Sequence, residues 1–412
     1  MGWKILFTNN TLAGRAGTEL WVRDVALALR ARGHAPAAFS TVLGDVAAEL
    51  GSGGVEVVDD LDALGAAPDL IHGHHHLETT IASLRFPRAP VLSFCHGLLP
   101  WEELPARLPT VARYVAVDLA CRDRLVVECG IPPGEVSLLF NFVDLARFRP
   151  RPPLPQRPRR ALAFGNPASE RTFLPALRAA CAARGIALDA AGEKTRVLER
   201  PEEALGAYDL VFAKGRAAME AMATGCAVVL CDLAGAGPLV TSAAFERLRP
   251  LNFGLRALVH PLTAAHLGGE IDLYDAADAA RVRDLMRAAG DLEKRLDELL
   301  ALYAATLAAP RPTLDPGALA VAASRYLRWL APRVKDSGRA QVEAGLRARL
   351  EEAERAAAAH EKLLETARQE LERAHREPGL RLQLAATRLP IIGGALRALG
   401  RLVFGSAPPP GR

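Results

Sequence analysis

Short continuous apolar runs alternating with helix-length stretches constrain this chain most, because that pattern belongs to parallel sheets covered on both faces. WKILFT opens the series, and APAAF, VEVV, DLIH, PVLSF and YVAV follow within residues 1–149. Between the first two runs, Thr18–Arg32 spaces Leu20, Val22, Val25, Leu27 and Leu29 as a helix would. The series breaks at RPRPPLPQRPRR, where proline excludes a helix or a central strand, so residues 150–160 read as a stiff linker. It restarts at ALAFG and runs through a helix over 171–184, IALDAAG, DLVFA, another helix and AVVLCD. Helices dominate after residue 275, and 315–331 predicts one more apolar helix. At 412 residues the chain exceeds one ordinary core. The expected fold is α/β: two Rossmann-like parallel-sheet domains, 1–149 and 161–335, the second carrying its closing helices.

Residues 339–376 change character. Leu346, Leu350, Ala353, Ala357, His360, Leu364, Ala367, Leu371 and Ala374 recur at 4-3 spacing with charges outside the seam, which predicts a C-terminal coiled coil and self-association. Alanine in many seam slots makes that coil a weak one. Pro378 and Gly379 end it, and 379–405 reads as a basic amphipathic tail. Residues 379–412 hold five Arg and no Asp or Glu, so of the formal net charge of +4 the rest of the chain keeps −1. That near-neutral body gives no nucleic-acid footprint, whereas the tail suits peripheral contact with an anionic membrane surface. No run of about 18 uninterrupted apolar residues predicts a spanning helix. The start, MGWKILFTNN, reads as a strand rather than a leader, and the six cysteines form no CxxC pair or zinc spacing. A reducing cytoplasmic location is expected, at most peripheral on the inner face of the plasma membrane.

One turn carries the clearest chemistry. DLVFA runs into Lys214, Gly215 and Arg216, and AAMEAMA continues as a helix from Ala217. Open parallel sheets bind ligands at the carboxyl ends of their strands, where helix N-termini face the crevice. Gly215 lets backbone approach a phosphate, and the helix's unpaired N–H groups favour an anion. Two cations flank the same turn, and Glu220 lies one turn further in, placed to accept from ribose hydroxyls. An ordinary strand–turn–helix with a solvated basic turn would read the same way. His72, His74, His75 and His76 cannot all converge on one ion, because side chains alternate along a strand; a small polar loop at the crevice rim is expected, with no metal.

These residues bring a resemblance. GRAAMEAMATGCAVVLCDLAGAGPLV looks like the donor-site motif of family 4 and related glycosyltransferases of the two-Rossmann (GT-B) fold. AGTELWVRDVALALRARGH is similar to that family's glycine loop and first helix. PDLIHGHHH, PVLSFCHG, RYVAVDLACRDRLV and GIPPGEVSLLFNFVDLARFRP match further family segments in the right order. The resemblance implies transfer of a sugar from a nucleotide-diphosphate sugar to a glycan or lipid acceptor of the cell envelope or a polysaccharide, with retention, no metal and no cofactor. It implies that Gly17 admits the donor diphosphate to the first helix N-terminus and that His96 lies beside the transferred sugar. It implies that Glu220 holds the ribose and that Lys214, Gly215, Arg216 and Ala217 form the diphosphate loop. Gly165, Asn166 and Arg171 fall in the second donor loop, and Glu19 and Asp118 on the acceptor side.

Two departures bear on this. Phe212 stands where the family has a second glutamate, eight residues before Glu220, and FGNPASERTFLPAL lacks the family's Arg and Lys after the first strand of the second domain. Lys214 and Arg216 are expected to replace that charge. An epimerase or isomerase of nucleotide sugars on the same scaffold, and a catalytically silent binding subunit, remain open rivals. The first would need convergent acid–base carboxylates; the broken glutamate pair favours the second.

Overall fold

A computed structural model describes residues 2–310 and 315–376 of the chain. The first sheet has seven strands, all parallel: β1 (Lys4–Thr8), β2 (Ala35–Phe39), β3 (Glu56–Val58), β4 (Leu70–His74), β5 (Val91–Cys95), β6 (Val111–Ala116) and β7 (Val136–Leu138). Their spatial order is β3-β2-β1-β4-β5-β6-β7, so the winding direction reverses between β1 and β4. Helices α1 (Gly17–Ala31), α2 (Asp45–Ser52), α3 (His76–Arg85) and α4 (Leu119–Asp123) connect them. Ligands bind at such a reversal, at the carboxyl ends of the strands. β1, β4 and β5 are buried on both faces, which is why β1 and β5 read as nearly continuous apolar runs.

The second sheet, β12-β11-β10-β8-β9, contains β8 (Arg160–Phe164), β9 (Ala187–Ala191), β10 (Leu210–Ala213), β11 (Ala227–Asp232) and β12 (Gly235–Leu239). All its pairings are parallel except β11 with β12. Its helices are α5 (Leu174–Ala182), α6 (Pro201–Ala204), α7 (Gly215–Thr224), α8 (Ser242–Leu248), α9 (Ala264–Asp272) and α10 (Ala276–Ala289). Two strands escaped the sequence reading. β7 is only three residues long, and β12 (GAGPL) carries Gly and Pro, which an edge strand tolerates.

The chain then crosses back. In α11 (Leu292–Ala308), Leu292, Leu296, Leu299 and Tyr303 lie on one face and join the core of the first sheet, beside Trp21, Val25, Leu29 and Phe94. The crossing is pinned where the Leu292 N–H donates to the Val143 carbonyl at 3.1 Å. Arg32, at the end of α1, donates to Asp297 at 2.6 Å.

The expected apolar helix at 315–331 and the heptad segment are one helix, α12 (Pro316–Arg376), with Pro332 inside it. Its flanks are rich in Ala, Arg and Glu, strong helix formers that carry the helix across the missing proline N–H. Early in α12, Tyr326 Oη lies 2.7 Å from His76 Nδ1. The chain divides into two compact units after Tyr326. In the second unit the seam residues Leu346, Leu350 and Leu364 are exposed. The basic tail lies outside the described residues. Among the described residues, no helix is long and apolar enough to cross a membrane.

Candidate functional site

The expected first-domain residues gather at the carboxyl ends of its strands. Gly17 opens α1 with nothing within 4 Å of the position a Cβ would take, so the helix N-terminus is sterically open. Glu19, in the first turn, is buried and accepts from Thr18 Oγ1 at 2.9 Å; burial pushes its carboxyl up. Asp118 caps α4, accepting from the Cys121 N–H at 2.7 Å, and its carboxyl is also raised by burial. A capping carboxylate spends its oxygen on the helix end. Its local role is thus structural.

His96 follows β5 directly. Its backbone N–H donates to Glu103 Oε2 at 2.7 Å, and its Nε2 lies 3.1 Å from His74 Nε2. Trp21 packs 5.3 Å from the His96 ring. Burial draws the His96 imidazole down to about 4, so it is neutral at pH 7. The polar rim loop expected for the neighbouring histidines is not what forms. His72 and His74 belong to β4, two residues apart on the same side of the strand, and both are fully buried. Their Nε2 atoms are 2.9 Å apart, and Tyr303 Oη reaches His72 Nδ1 at 2.5 Å. These are hydrogen-bond separations. Among the described residues no group of three or more His, Cys, Asp or Glu is arranged to hold a metal ion.

His75 follows the strand and precedes α3 with φ +61°, a conformation rarely adopted by residues other than Gly. Its Nδ1 accepts from the Asn10 N–H at 3.1 Å, and its Nε2 lies 3.6 Å from Glu103 Oε1. Burial pushes Glu103 up, but His75 and His96 outweigh it and hold the carboxyl below its ordinary value. Glu78, in the first turn of α3, is buried with Oε2 unpartnered, and burial raises its carboxyl.

The second-domain turn forms as read. Lys214 precedes α7, and Gly215 begins it at φ +57°, where a side chain would be strained. Among the described residues no acceptor meets the N–H groups of Arg216 and Ala217, the free first turn that an anion would seek. The two cations, however, are already engaged. Lys214 Nζ sits 2.9 Å from Asp232 Oδ2, and burial lowers its pKa. Arg216 pairs with Asp24 of α1 across the two domains, and its Nε donates to Glu220 Oε1 at 2.7 Å. Asp24 also accepts from Arg23 at 2.7 Å and lies 3.4 Å from Arg147. Burial would raise the Asp24 carboxyl, but Arg216 and Arg23 hold it below its ordinary range. Glu220 goes the other way: burial raises it more than Arg216 lowers it.

Position 212 is explained. Phe212 lies inside β10 and belongs to the same buried core cluster as Leu177, Val229 and Leu267, so a carboxylate there would be buried. Gly165 follows β8, and its N–H donates to the Ala191 carbonyl at 2.9 Å. Asn166 and Arg171 are exposed, and Arg171 lines a surface pocket of about 760 Å³ with Lys194 and Arg196.

Several residues at this site were not singled out from the sequence, namely Asp24, Arg147, Glu78, Glu103 and Tyr303, while His72 and His74 were noted only as part of a polar rim loop. For Asp24 a signal existed, a charged residue inside the apolar stretch of α1. For Tyr303 none did, since its partner is 231 positions away.

Residues 56–147 match the model of Glycosyltransferase Family 4, a stretch that holds His96 and Asp118 but none of the second-domain turn. A glycosyltransferase from Rickettsia africae ESF-5 has a similar structure at 16% identity and a TM-score of 0.55, over 75% of this chain and 100% of that one. Anabaena HepE in complex with UDP is similar at 16% identity and a TM-score of 0.55, over 74% and 100%. The same protein with UDP and glucose gives 16% and 0.53, over 73% and 99%. No curated protein matches the chain. The matched segment is that of Glycosyltransferase Family 4, and the architecture of the body is the two-Rossmann (GT-B) fold of these similar structures.

Proposed function

We propose that the chain transfers a glycosyl group from a nucleotide-diphosphate sugar to a hydroxyl of a glycan or lipid acceptor of the cell envelope, without a metal. The observation that carries this reading is the pair of open helix N-termini at the cleft. Gly17 begins α1 with free space in front of it, and the first turn of α7 offers unpaired N–H groups beside Lys214 and Arg216. Both are features that suit a diphosphate. The similar Anabaena protein was obtained with UDP and glucose, a ligand set this reading carries over. In it the diphosphate draws Lys214 from Asp232 and Arg216 from Asp24, which frees the Glu220 carboxylate for the ribose. His96 stands beside the transferred sugar, and Asn166 and Arg171 border the nucleotide. The coiled-coil segment of α12 pairs chains, and the basic tail rests on the membrane surface.

A silent binding subunit is the second reading, favoured by Phe212 in the core and by carboxylates on both donor-loop cations. Incubation with a panel of nucleotide sugars, followed by product analysis, separates the two. Transfer or donor hydrolysis is expected; binding without turnover supports the silent subunit, and an isomerised donor supports an epimerase. Lys214→Ala and Arg216→Ala are each expected to weaken nucleotide-diphosphate binding about tenfold or more, the scale of one lost charge-assisted contact. Unchanged affinity in both variants would refute their role as the phosphate clamp.

A further inference from the structure

From the buried histidine chain behind His96 we infer that His72 and His74 lock His96 in the tautomer that carries its proton on Nε2 and turns a bare Nδ1 towards the cleft. His72 and His74 are thereby positioning residues, and the ligand group that meets His96 is a hydrogen-bond donor such as a sugar hydroxyl, not a phosphate oxygen or a carboxylate. This rests on the reading of His96 as the residue beside the transferred sugar.

The assignment follows from proton counting along three contacts. Tyr303 Oη lies 2.5 Å from His72 Nδ1 inside the core, with no exposure at either residue. Burial keeps the phenol protonated, and Tyr303 has no other acceptor among the described residues. Its O–H therefore donates, and His72 Nδ1 accepts. A neutral His72 must then bear its proton on Nε2, which donates across 2.9 Å to His74 Nε2. That makes His74 Nε2 an acceptor and leaves its proton on Nδ1. His96 Nε2 faces the same His74 atom at 3.1 Å, so it too must donate, because two bare nitrogens at that distance repel. The single lone pair of His74 Nε2 is shared by both protons in a three-centre contact, one from the core side and one from the cleft side.

The reverse arrangement also strands one donor, and it fits the shortest contact worse, since 2.5 Å is within the range of an O–H donor and shorter than that of an N–H donor. Were His72 to donate to the phenol oxygen, the Tyr303 O–H would be orphaned in the core. The single proton of His74 Nε2 could then serve only one neighbour. The inferred arrangement satisfies all three contacts and strands one donor, His74 Nδ1, which is buried without a partner. His96 Nδ1, by contrast, is not among the enclosed unpartnered atoms and meets no protein partner among the described residues, which leaves it to the cleft. The chain cannot carry protons through the protein, since Tyr303 is a buried dead end. It can only set orientation. Trp21 and Phe94 wall it in: Phe94 stacks on His72 at 3.7 Å, and Trp21 lies 5.0 Å from His74. The carboxylate beside His96, Glu103, takes its backbone N–H rather than its ring.

The test uses the full-length chain labelled with ¹⁵N at histidine, read by imidazole nitrogen–proton correlation at pH 7, with His96 assigned through His96→Gln. The expected spectrum shows His96 protonated on Nε2 and bare at Nδ1. In His74→Leu, which deletes the acceptor, His96 is expected to show both tautomers. In His74→Gln, whose amide oxygen accepts in its place, the single tautomer is expected to return. Transfer activity follows the same order: kcat falls at least tenfold in His74→Leu and recovers most of that in His74→Gln, with both variants checked for an intact melting transition. An Nδ1-protonated or doubly protonated His96 in the parent chain would overturn the inference, as would a His74→Leu variant with an unaltered His96 tautomer. If no nucleotide sugar is turned over, the proposed function fails, while the spectrum still decides the tautomer.

Discussion

Asp24 shows how much one buried carboxylate decides at this site. Three guanidinium groups from three parts of the chain, Arg23, Arg147 and Arg216, close on it. Removing one member of a buried charge set leaves the others uncompensated, at a cost of about 3–5 kcal/mol. Asp24→Asn is therefore expected to lower unfolding free energy by about 3 kcal/mol at pH 7, measured by urea denaturation. The pH dependence carries a sign. The folded-state pKa of Asp24 lies below its unfolded value, so the unfolded chain binds the proton more readily. The stabilisation is present above the ordinary carboxylate range and fades as pH falls through the folded value. The gap between parent and variant should accordingly shrink as pH is lowered from 5 to 3, and a constant gap would show that the carboxylate's charge is not what matters. None of this could be read from α1 alone, because the partners lie up to 192 positions away. The stretch WVRD shows only that a charged pair sits among apolar neighbours.

Between elements, the close approach of two loops positions the second-domain edge of the cleft. Gly192 follows β9 at φ +155°, and a Cβ there would lie 2.1 Å from the Gly165 carbonyl oxygen. Backbone cannot yield as a flexible side chain would, so Gly192→Ala must push the loop carrying Asn166 away from β9. The expected result is a loss of about 2 kcal/mol or more from the clash and the left-handed backbone together, with weakened nucleotide binding. Calorimetry with UDP alongside thermal melting checks both, and an unchanged melting temperature would contradict the packing. The parallel strands and α1 were legible in the sequence, because strands covered on both faces are apolar throughout and α1 repeats at 3.6 residues. β7 and β12 were not, since β7 is only three residues long and Gly and Pro mask an edge strand, and β4 was read to stop at His72 because Gly73 and His74 do not look like core residues.

Across the whole molecule, the return of α11 ties the chain together. Its Leu292, Leu296, Leu299 and Tyr303 complete the first core, although they follow the second sheet in sequence. A chain ending at residue 326, the limit of the first compact unit, is expected to keep its melting temperature within about 2 °C and to bind UDP as the full chain does. A chain ending at residue 290 is expected not to fold, since four large core side chains go with it, each worth about 1.5–3 kcal/mol of burial. A folded 290-residue product would refute that account of the core. The sequence by itself determined the two-domain α/β plan, the strand–Gly–helix turn at Lys214 to Ala217 and the heptad pattern of α12. These are written in local periodicity and in residues whose backbone needs are local. Only the tertiary structure decided that Arg216 faces Asp24, that three histidines line up behind the cleft and that Tyr303 closes their chain. Those contacts join residues far apart in sequence, and nothing in the spacing of either partner records where the other will come to rest.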